Sequence, residues 1–350
     1  MKNCYYIIQK GILFSDNGNI IFEPFNSNNS NSDVVNNDQS ENYYFVDKPR
    51  TIPIENTASI SCYSYVQLDS SFLNSVANHN IPVIFFENYK PIGCFFNNFS
   101  QMDGNLTVLQ SVFFASSSRR LSLARKFVQG GIQNKIVNLA YYANRNKFAN
   151  FQISKFGPIL DQINSAKDIN QLMLVEALAQ KLYFSHFNLI LKNHDFQFIK
   201  REFNPPPDPV NAIISFTYAL LYSTLLTEIA STFLNPFISY LHEPGSNRSS
   251  LIWDFSEIFK PIICDRLVFK LINGKSIKPD MFDYSDGKCL LNKTGRYKVV
   301  AAYNSKLKTT IFNRETQKQQ SYRSIIRNEF YKLIRHLKNE EEYKPIKMWW

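Results

Sequence analysis

Hydrophobic positions change their rhythm once along this chain. Up to about residue 97 they come in short runs divided by turn residues: 5–8, 12–14, 20–22, 50–54, 59–63 and 82–86. Runs this short, rich in β-branched and aromatic side chains, predict strands. The tetrapeptide Asp16-Asn17-Gly18-Asn19 sits between two of them. It predicts a tight hairpin, because Asn and Gly tolerate the positive φ that such a turn needs. Residues 69–79 read as a short helix. Residues 26–42 are mostly Asn and Ser with no apolar period, which predicts a flexible loop.

Beyond about residue 105 the period becomes helical. Helices are predicted over 106–146, 169–190, 209–233, 251–272 with a bend at Pro261, 292–307 and 321–338. In the last of these, Ile326, Phe330, Leu333, Ile334 and Leu337 fall on one helical face. The fold class is therefore α+β. A small β-rich domain (1–97) leads through a linker (98–108) to a larger all-α domain (109–350). Asp208 and Pro209 form an N-cap and first-turn pair that starts the 209–233 helix sharply. The alternative is that Asn211, or the positive end of that helix, approaches a phosphate or the active site. Residues 209–227 carry no charge and could span a bilayer by length, but Asn211, Ser215, Thr217, Ser223 and Thr224 interrupt them. A buried central helix is the simpler reading; a membrane span is the alternative.

Composition narrows the class. With 44% hydrophobic and 15% aromatic residues, the chain of 350 residues has the apolar content that disordered chains lack. Its five cysteines are odd in number and contain no C-x-x-C, so neither a disulfide framework nor a structural zinc site is indicated. Free thiols in a reducing cytoplasm are expected. The net charge of +10 points to a polyanionic partner, nucleic acid or an anionic membrane surface.

Three segments of the helical region hold candidate chemistry. Glu176 lies in an apolar helical stretch, where a carboxylate is costly unless paired or metal-bound; otherwise it belongs to the polar stripe of an amphipathic helix. His242 lies in a polar loop containing Gly and Pro. Asp254 and Glu257, three apart on a helix, share one face and repel unless a cation lies nearby. A solvated surface pair is the other reading. Together these residues fit a site of carboxylates and one imidazole. Oxygen donors suit magnesium and manganese, and the nitrogen favours manganese. On a basic protein such a site indicates phosphodiester chemistry. Spacing alone leaves open whether Glu176 and His242 meet.

The run from Pro207 to Tyr222 resembles a signature of the universal CRISPR-associated endonuclease and integrase family, which acts in spacer acquisition. Leu241-His242-Glu243-Pro244 followed by 250–261 is similar to its second block, and Val175-Glu176-Ala177 to its first acidic position. Segments 50–55, 79–83 and 124–128 and the ending Trp349-Trp350 also fit, so the resemblance spans nearly the whole chain. It implies a β-sandwich-like domain that forms a homodimer and a helical catalytic domain. It implies magnesium or manganese held by Glu176, His242 and Glu257, with Asp254 beside them in the catalytic set. The implied activity is a metal-dependent DNA endonuclease and integrase, joining short foreign duplexes to a CRISPR repeat through their 3′-hydroxyls. The implied partner is a small second CRISPR-associated protein, in a heterohexamer, in a prokaryotic cytoplasm. Arg119, Arg120, Arg125, Lys126, Arg248, Arg323, Arg327 and Arg335 are candidate contacts to DNA phosphates. A non-catalytic DNA-binding scaffold of the same fold is the competing class. Ala177 stands where the family has glycine, a change expected only to tighten local packing.

Overall fold

A computed structural model describes residues 2–25, 45–46, 48–87, 90–95, 103–145, 150–203, 205–245 and 249–349. The Asn/Ser-rich stretch 26–42, expected to be a flexible loop, and Arg248 lie outside the described residues. The chain divides into two compact units, Met1–Gln101 and Met102–Trp350.

In the first unit the chain runs through β1 (Asn3–Ile7), β2 (Gly11–Asp16), β3 (Asn19–Pro24), β4 (Phe45–Val46), β5 (Arg50–Pro53), β6 (Thr57–Cys62), β7 (Val66–Leu68), α1 (Ser70–Asn78), β8 (Val83–Glu87) and β9 (Lys90–Phe95). They form a five-stranded sheet ordered β4-β1-β6-β8-β9 and a four-stranded sheet ordered β5-β3-β2-β7. The first is parallel except for β8–β9. Leu13, Ile20, Phe22 and Ile52 of one sheet pack with Tyr5, Ile7, Ile60 and Val83 of the other and with Phe72 and Val76 of α1. Alternation along each strand puts those side chains on the inner face. The hairpin forms as expected: Asp16 pairs with Asn19, and Asn17 and Gly18 take φ values of 47° and 74°.

The second unit holds α2 (Gly104–Ala115), α3 (Ser117–Arg145), α4 (Phe156–Ser165), α5 (Ile169–Phe184), α6 (Phe187–Ile190), α7 (Pro209–Ile229), α8 (Ser250–Phe259), α9 (Arg266–Asn273), α10 (Lys293–Lys308) and α11 (Tyr322–Leu337). Two small hairpins join them, β10 (Phe282–Ser285) with β11 (Lys288–Leu291) and β12 (Thr310–Asn313) with β13 (Lys318–Ser321). The helix expected over 106–146 is in fact two, broken where Ser116 adopts extended geometry. Serine hydroxyls compete for backbone partners and favour such breaks. The expected bend at Pro261 is a widened helical segment, Lys260–Asp265, between α8 and α9. Such a turn absorbs a proline, which has no N–H to donate, without ending the helix.

Helix α7 is the one described helix long and apolar enough to cross a membrane, and almost all of it is buried inside the unit. Asp208 caps it, accepting from the Asn211 N–H at 2.9 Å. The Asn211 side chain is wholly engaged nearby. It accepts from Arg201 and the Glu202 N–H and donates to the Lys200 carbonyl and to Asp208. Asn211 therefore fastens the chain leading into α7, and its side chain has no capacity left for a phosphate.

Candidate active site

Glu176, His242, Asp254 and Glu257 come from three pieces of chain: α5, the loop after α7, and α8. Helix α3 passes beside α8 so closely that a Cβ on Gly131 would lie 3.0 Å from the Glu257 carbonyl oxygen. Glycine there lets the backbones approach. One turn on, Asn134 Nδ2 donates to the carbonyls of Ile258 (3.1 Å) and Ile346 (3.0 Å), and its Oδ1 accepts from the Met348 N–H. α3, α8 and the C-terminal segment are thus pinned together beside the site.

The next residue, Lys135, is buried to 2% exposure. Its ammonium lies 3.4 Å from Glu176 Oε1 and 3.6 Å from Glu257 Oε2. Lys260, in the widened turn, binds the other Glu257 oxygen at 2.6 Å. Two carboxylates and two ammonium groups therefore share one largely dry site. Burial, and after it the charge of Glu257, pushes Glu176 above the ordinary carboxylate value. Burial also works to raise Glu257, but Lys260 and Lys135 outweigh it and bring Glu257 down to about 2. One carboxylate is firmly ionised, and its neighbour competes for further positive charge.

Asp254 plays a different part from the one its spacing indicates. It is fully buried and accepts from the backbone N–H groups of Tyr240 (2.7 Å), Leu241 (3.1 Å) and His242 (3.0 Å). It also binds His242 Nδ1 at 2.8 Å. Both oxygens are occupied, so Asp254 is a positioning residue that folds the loop and turns the imidazole. A carboxylate only accepts, so the Nδ1 proton points to Asp254 and Nε2 is the nitrogen left to act. Burial lowers the imidazole pKa, but the hydrogen bond to Asp254 and the negative charges of Asp254 and Glu257 outweigh it, and the net shift is upward. Arg120 buttresses the same loop, donating to the Tyr240 carbonyl at 3.0 Å and to Glu243 at 2.6 Å.

Among the described residues no group of three or more His, Cys, Asp or Glu side chains is gathered closely enough to hold a metal ion. The ammonium groups of Lys135 and Lys260 lie against the carboxylates instead. The donor types still suit a hard divalent cation: two carboxylates and an imidazole nitrogen unclaimed among the described residues. The lysines already offset both carboxylates, so a cation would have to share or displace them.

The remaining basic candidates are mostly neutralised within the chain. Lys126 pairs with Glu342 and Arg335 with Glu341. Arg323 and Arg327 both bind the fully buried Glu228. Arg323 is itself buried, which removes it from a solvent-facing DNA surface. Arg125 donates to the Ala166 carbonyl at the end of α4. Arg119 is exposed and lies over the Phe113 ring. Ala177 is exposed on α5, so its methyl tightens no packing. Lys135 and Lys260 are the members of the site that residue spacing did not single out. Lys260, three residues after Glu257, was legible as its helical neighbour; Lys135 gave no such signal, because its partners lie on other helices.

A family model described as CRISPR associated protein Cas1 matches residues 25–305. The chain belongs to the Cas1 family. A Cas1 relative from Clostridium perfringens, named CRISPR-associated endonuclease Cas1, is 35% identical over the full length of both chains. One from Thermodesulfovibrio yellowstonii is 39% identical, covering 86% of this chain and 91% of that protein. The solved structure of a Cas1 protein from Thermotoga maritima superposes with a TM-score of 0.81 at 28% identity, covering 97% of this chain and 99% of that one. A casposase bound to integration product has the same fold, with a TM-score of 0.82 at 19% identity over 99% of this chain and 93% of that one.

Proposed function

We propose that this protein is a metal-dependent DNA endonuclease and integrase of CRISPR adaptation, inserting short foreign duplexes into the repeat by 3′-hydroxyl attack on phosphodiesters. The observation that carries this reading is Glu176 and Glu257 gathered around Lys135, with Glu257 acting electrostatically on an imidazole whose Nδ1 is tied to a buried carboxylate. The endonuclease names of its full-length relatives support it. Glu176, His242 and Glu257 would hold magnesium or manganese, which when bound polarises a phosphoryl oxygen and eases departure of the leaving oxygen. Asp254 fixes the His242 ring, so Nε2 is aimed without reorganisation when the substrate arrives. Lys260 and Lys135 keep Glu257 ionised and place positive charge where the phosphoryl group gains negative charge.

The proposed assembly is a homodimer working with a small second CRISPR-associated protein on DNA in a prokaryotic cytoplasm. Solved neighbours titled as Cas6-RT-Cas1–Cas2 complexes support such a partner. The test is a plasmid assay. A labelled short duplex with free 3′-hydroxyls is incubated with a supercoiled plasmid carrying a CRISPR repeat, with and without the small partner protein. Manganese, magnesium and EDTA are compared for wild type, His242→Ala and Glu257→Gln. Label should join the plasmid only with metal and an intact site. Joining or nicking that survives EDTA or both substitutions would remove the metal-site reading, and no product in any condition with the partner present would leave the scaffold class.

A further inference from the structure

Beyond α11 the chain runs on to residue 349 without helix or strand, yet Tyr343, Ile346 and Met348 are buried. No backbone ladder holds such a segment, so side chains of other elements must. Glu329 of α11, itself buried, accepts from the Tyr343 hydroxyl (3.0 Å) and from the Ile346 N–H (3.2 Å) through one oxygen. His336 Nδ1 accepts from the Tyr343 N–H at 3.2 Å. The Tyr343 ring packs on Phe127 of α3 and Phe255 of α8, with centroids 5.3 and 6.2 Å away. A Cβ on Gly130 would come within 2.6 Å of Pro345, so the segment lies directly against α3.

This segment meets the active site at Asn134, which is fully buried on α3. Both amide hydrogens and the carbonyl oxygen of its side chain are engaged. Two of the three partners, Ile346 and Met348, belong to the segment. The third is Ile258, next to Glu257 on α8. Lys135, next to Asn134 on α3, holds its ammonium between Glu176 and Glu257. An amide tied on one side to α8 and on the other to the segment fixes how α3 stands against α8. That placement decides where the Lys135 ammonium falls. Withdrawing the segment leaves one N–H and the carbonyl of a buried amide without partners, and an amide that turns to recover them gives up Ile258.

We propose that residues 341–348 form a strap that positions the active site, holding Lys135 between Glu176 and Glu257 through Asn134. The inference rests on the metal-site reading above. Lys135 then has two tasks set by one geometry. It competes with a divalent cation for the carboxylates, and it keeps positive charge where the phosphoryl group gains negative charge. A loosened strap gives up both at once. The cation binds more tightly, because its competitor has moved away. Joining slows, because the placed charge has moved as well. General loosening of the fold would instead weaken both.

Met348→Pro removes the N–H that Asn134 Oδ1 accepts, and Met348→Ala removes the side chain while keeping that N–H. Comparing the two isolates the bond from the packing. The full-length variants, shown to be folded by urea denaturation, are titrated with manganese and the free ion is followed by EPR. They are also assayed for joining with the labelled duplex and the small partner protein. Relative to M348A, M348P should bind manganese about fivefold or more tightly. It should join about tenfold or more slowly at saturating metal and DNA. Affinity for a fluorescent duplex, followed across salt concentrations, should be the same in both, since neither substitution removes a charge. N134A removes all three bonds and should show the same pair of changes, larger in size. Because Asn134 is buried, M348P carries the test if N134A does not fold.

Equal manganese affinity and joining rate in M348P and M348A overturn the proposal. So does weaker manganese binding together with slower joining, which would make the strap a packing element that holds the carboxylates. The route through Lys135 is tested in a K135M background, where M348P should add no gain in manganese affinity over M348A. A further gain of the same size there overturns it. If wild type gives no metal-dependent product while M348P still tightens manganese binding, the enzyme reading fails and the strap stands. An absence of manganese binding in wild type and every variant removes the metal site, and this inference with it.

Discussion

Two charged regions of the helical unit differ in what their cations are seen to meet. Around Glu257, carboxylates and ammonium groups alternate within about 4 Å and largely cancel. At the ends of α3, α9 and α10, Arg145, Arg266 and Lys306 lie over tyrosine rings. Burial is common to both, so burial alone does not mark function. The balanced region can exchange a lysine for another cation with little change in total charge. The first is the region where the proposed metal would bind; in the second the cations meet aromatic faces.

The largest stability effect should come from the residue that belongs to neither kind. Asp254 is a buried carboxylate satisfied entirely by directional donors. D254A would leave three backbone N–H groups and the imidazole Nδ1–H without their acceptor. The loss should be on the order of 5 kcal/mol, read by urea denaturation. A loss below about 1 kcal/mol would mean that the loop does not depend on Asp254, and its positioning role would fall.

Next in size is a pH effect one turn beyond Lys260. Asp265 is buried and accepts from Tyr183 and Tyr218, both at 2.9 Å. Burial lifts its carboxyl from an ordinary value of 3.8 to about 7, against the opposing pull of those two hydroxyls. The folded state thus holds this proton across a window where the unfolded chain has released it. The associated stability is fully present below about pH 4, is lost as pH rises through about 7, and is constant above that. The size is on the order of 4 kcal/mol. Urea midpoints of wild type against D265N between pH 4 and 8 test it: the variant should lack that component of the slope.

Smaller, and aimed at the balanced region itself, is Lys135→Met. Without metal it leaves Glu176 and Glu257 with Lys260 alone, and should lower stability by about 3 kcal/mol in EDTA. Manganese should restore much of that loss and raise the variant's Tm more than the wild type's. An equal Tm for wild type and K135M in EDTA would show that Lys135 does not balance the pair, and the contrast between the two regions would weaken.

Much of this was legible in the sequence, for physical reasons that also set the limit. Period-two and period-3.6 patterns report burial, so the hairpin at Asn17-Gly18, the cap at Asp208 and the face of α11 could be read directly. The break at Ser116 and the wide turn around Pro261 depend on local hydrogen-bond competition, which periodicity averages away. Spacing placed Asp254 and Glu257 on one helical face but could not foresee that the loop at 240–242 would consume Asp254. The family resemblance supplied the grouping of Glu176, His242 and Glu257. The structure adds the lysines between the carboxylates, because a lone Lys135 in a helix has no partner visible in its own neighbourhood. Surface charge was the least legible of all. Arg323 reads as a solvent-facing cation until Glu228, far away in sequence, is found beneath it.

The smallest effect separates charge that is only paired from charge that is placed. Arg335 and Glu341 meet at 2.8 Å with side chains 41% and 57% exposed. Water screens both partners, and holding two long side chains in one geometry offsets much of the attraction. A double-mutant cycle with R335A and E341A should return a coupling below about 1 kcal/mol, falling further at high salt. The DNA salt slope should not change in R335A, because its guanidinium is already engaged by Glu341. A drop of about 0.9 in that slope would show Glu341 yielding Arg335 to a phosphate. Arg335 on α11 would then belong to a DNA-facing surface, and internal pairing would no longer separate structural cations from those that meet substrate.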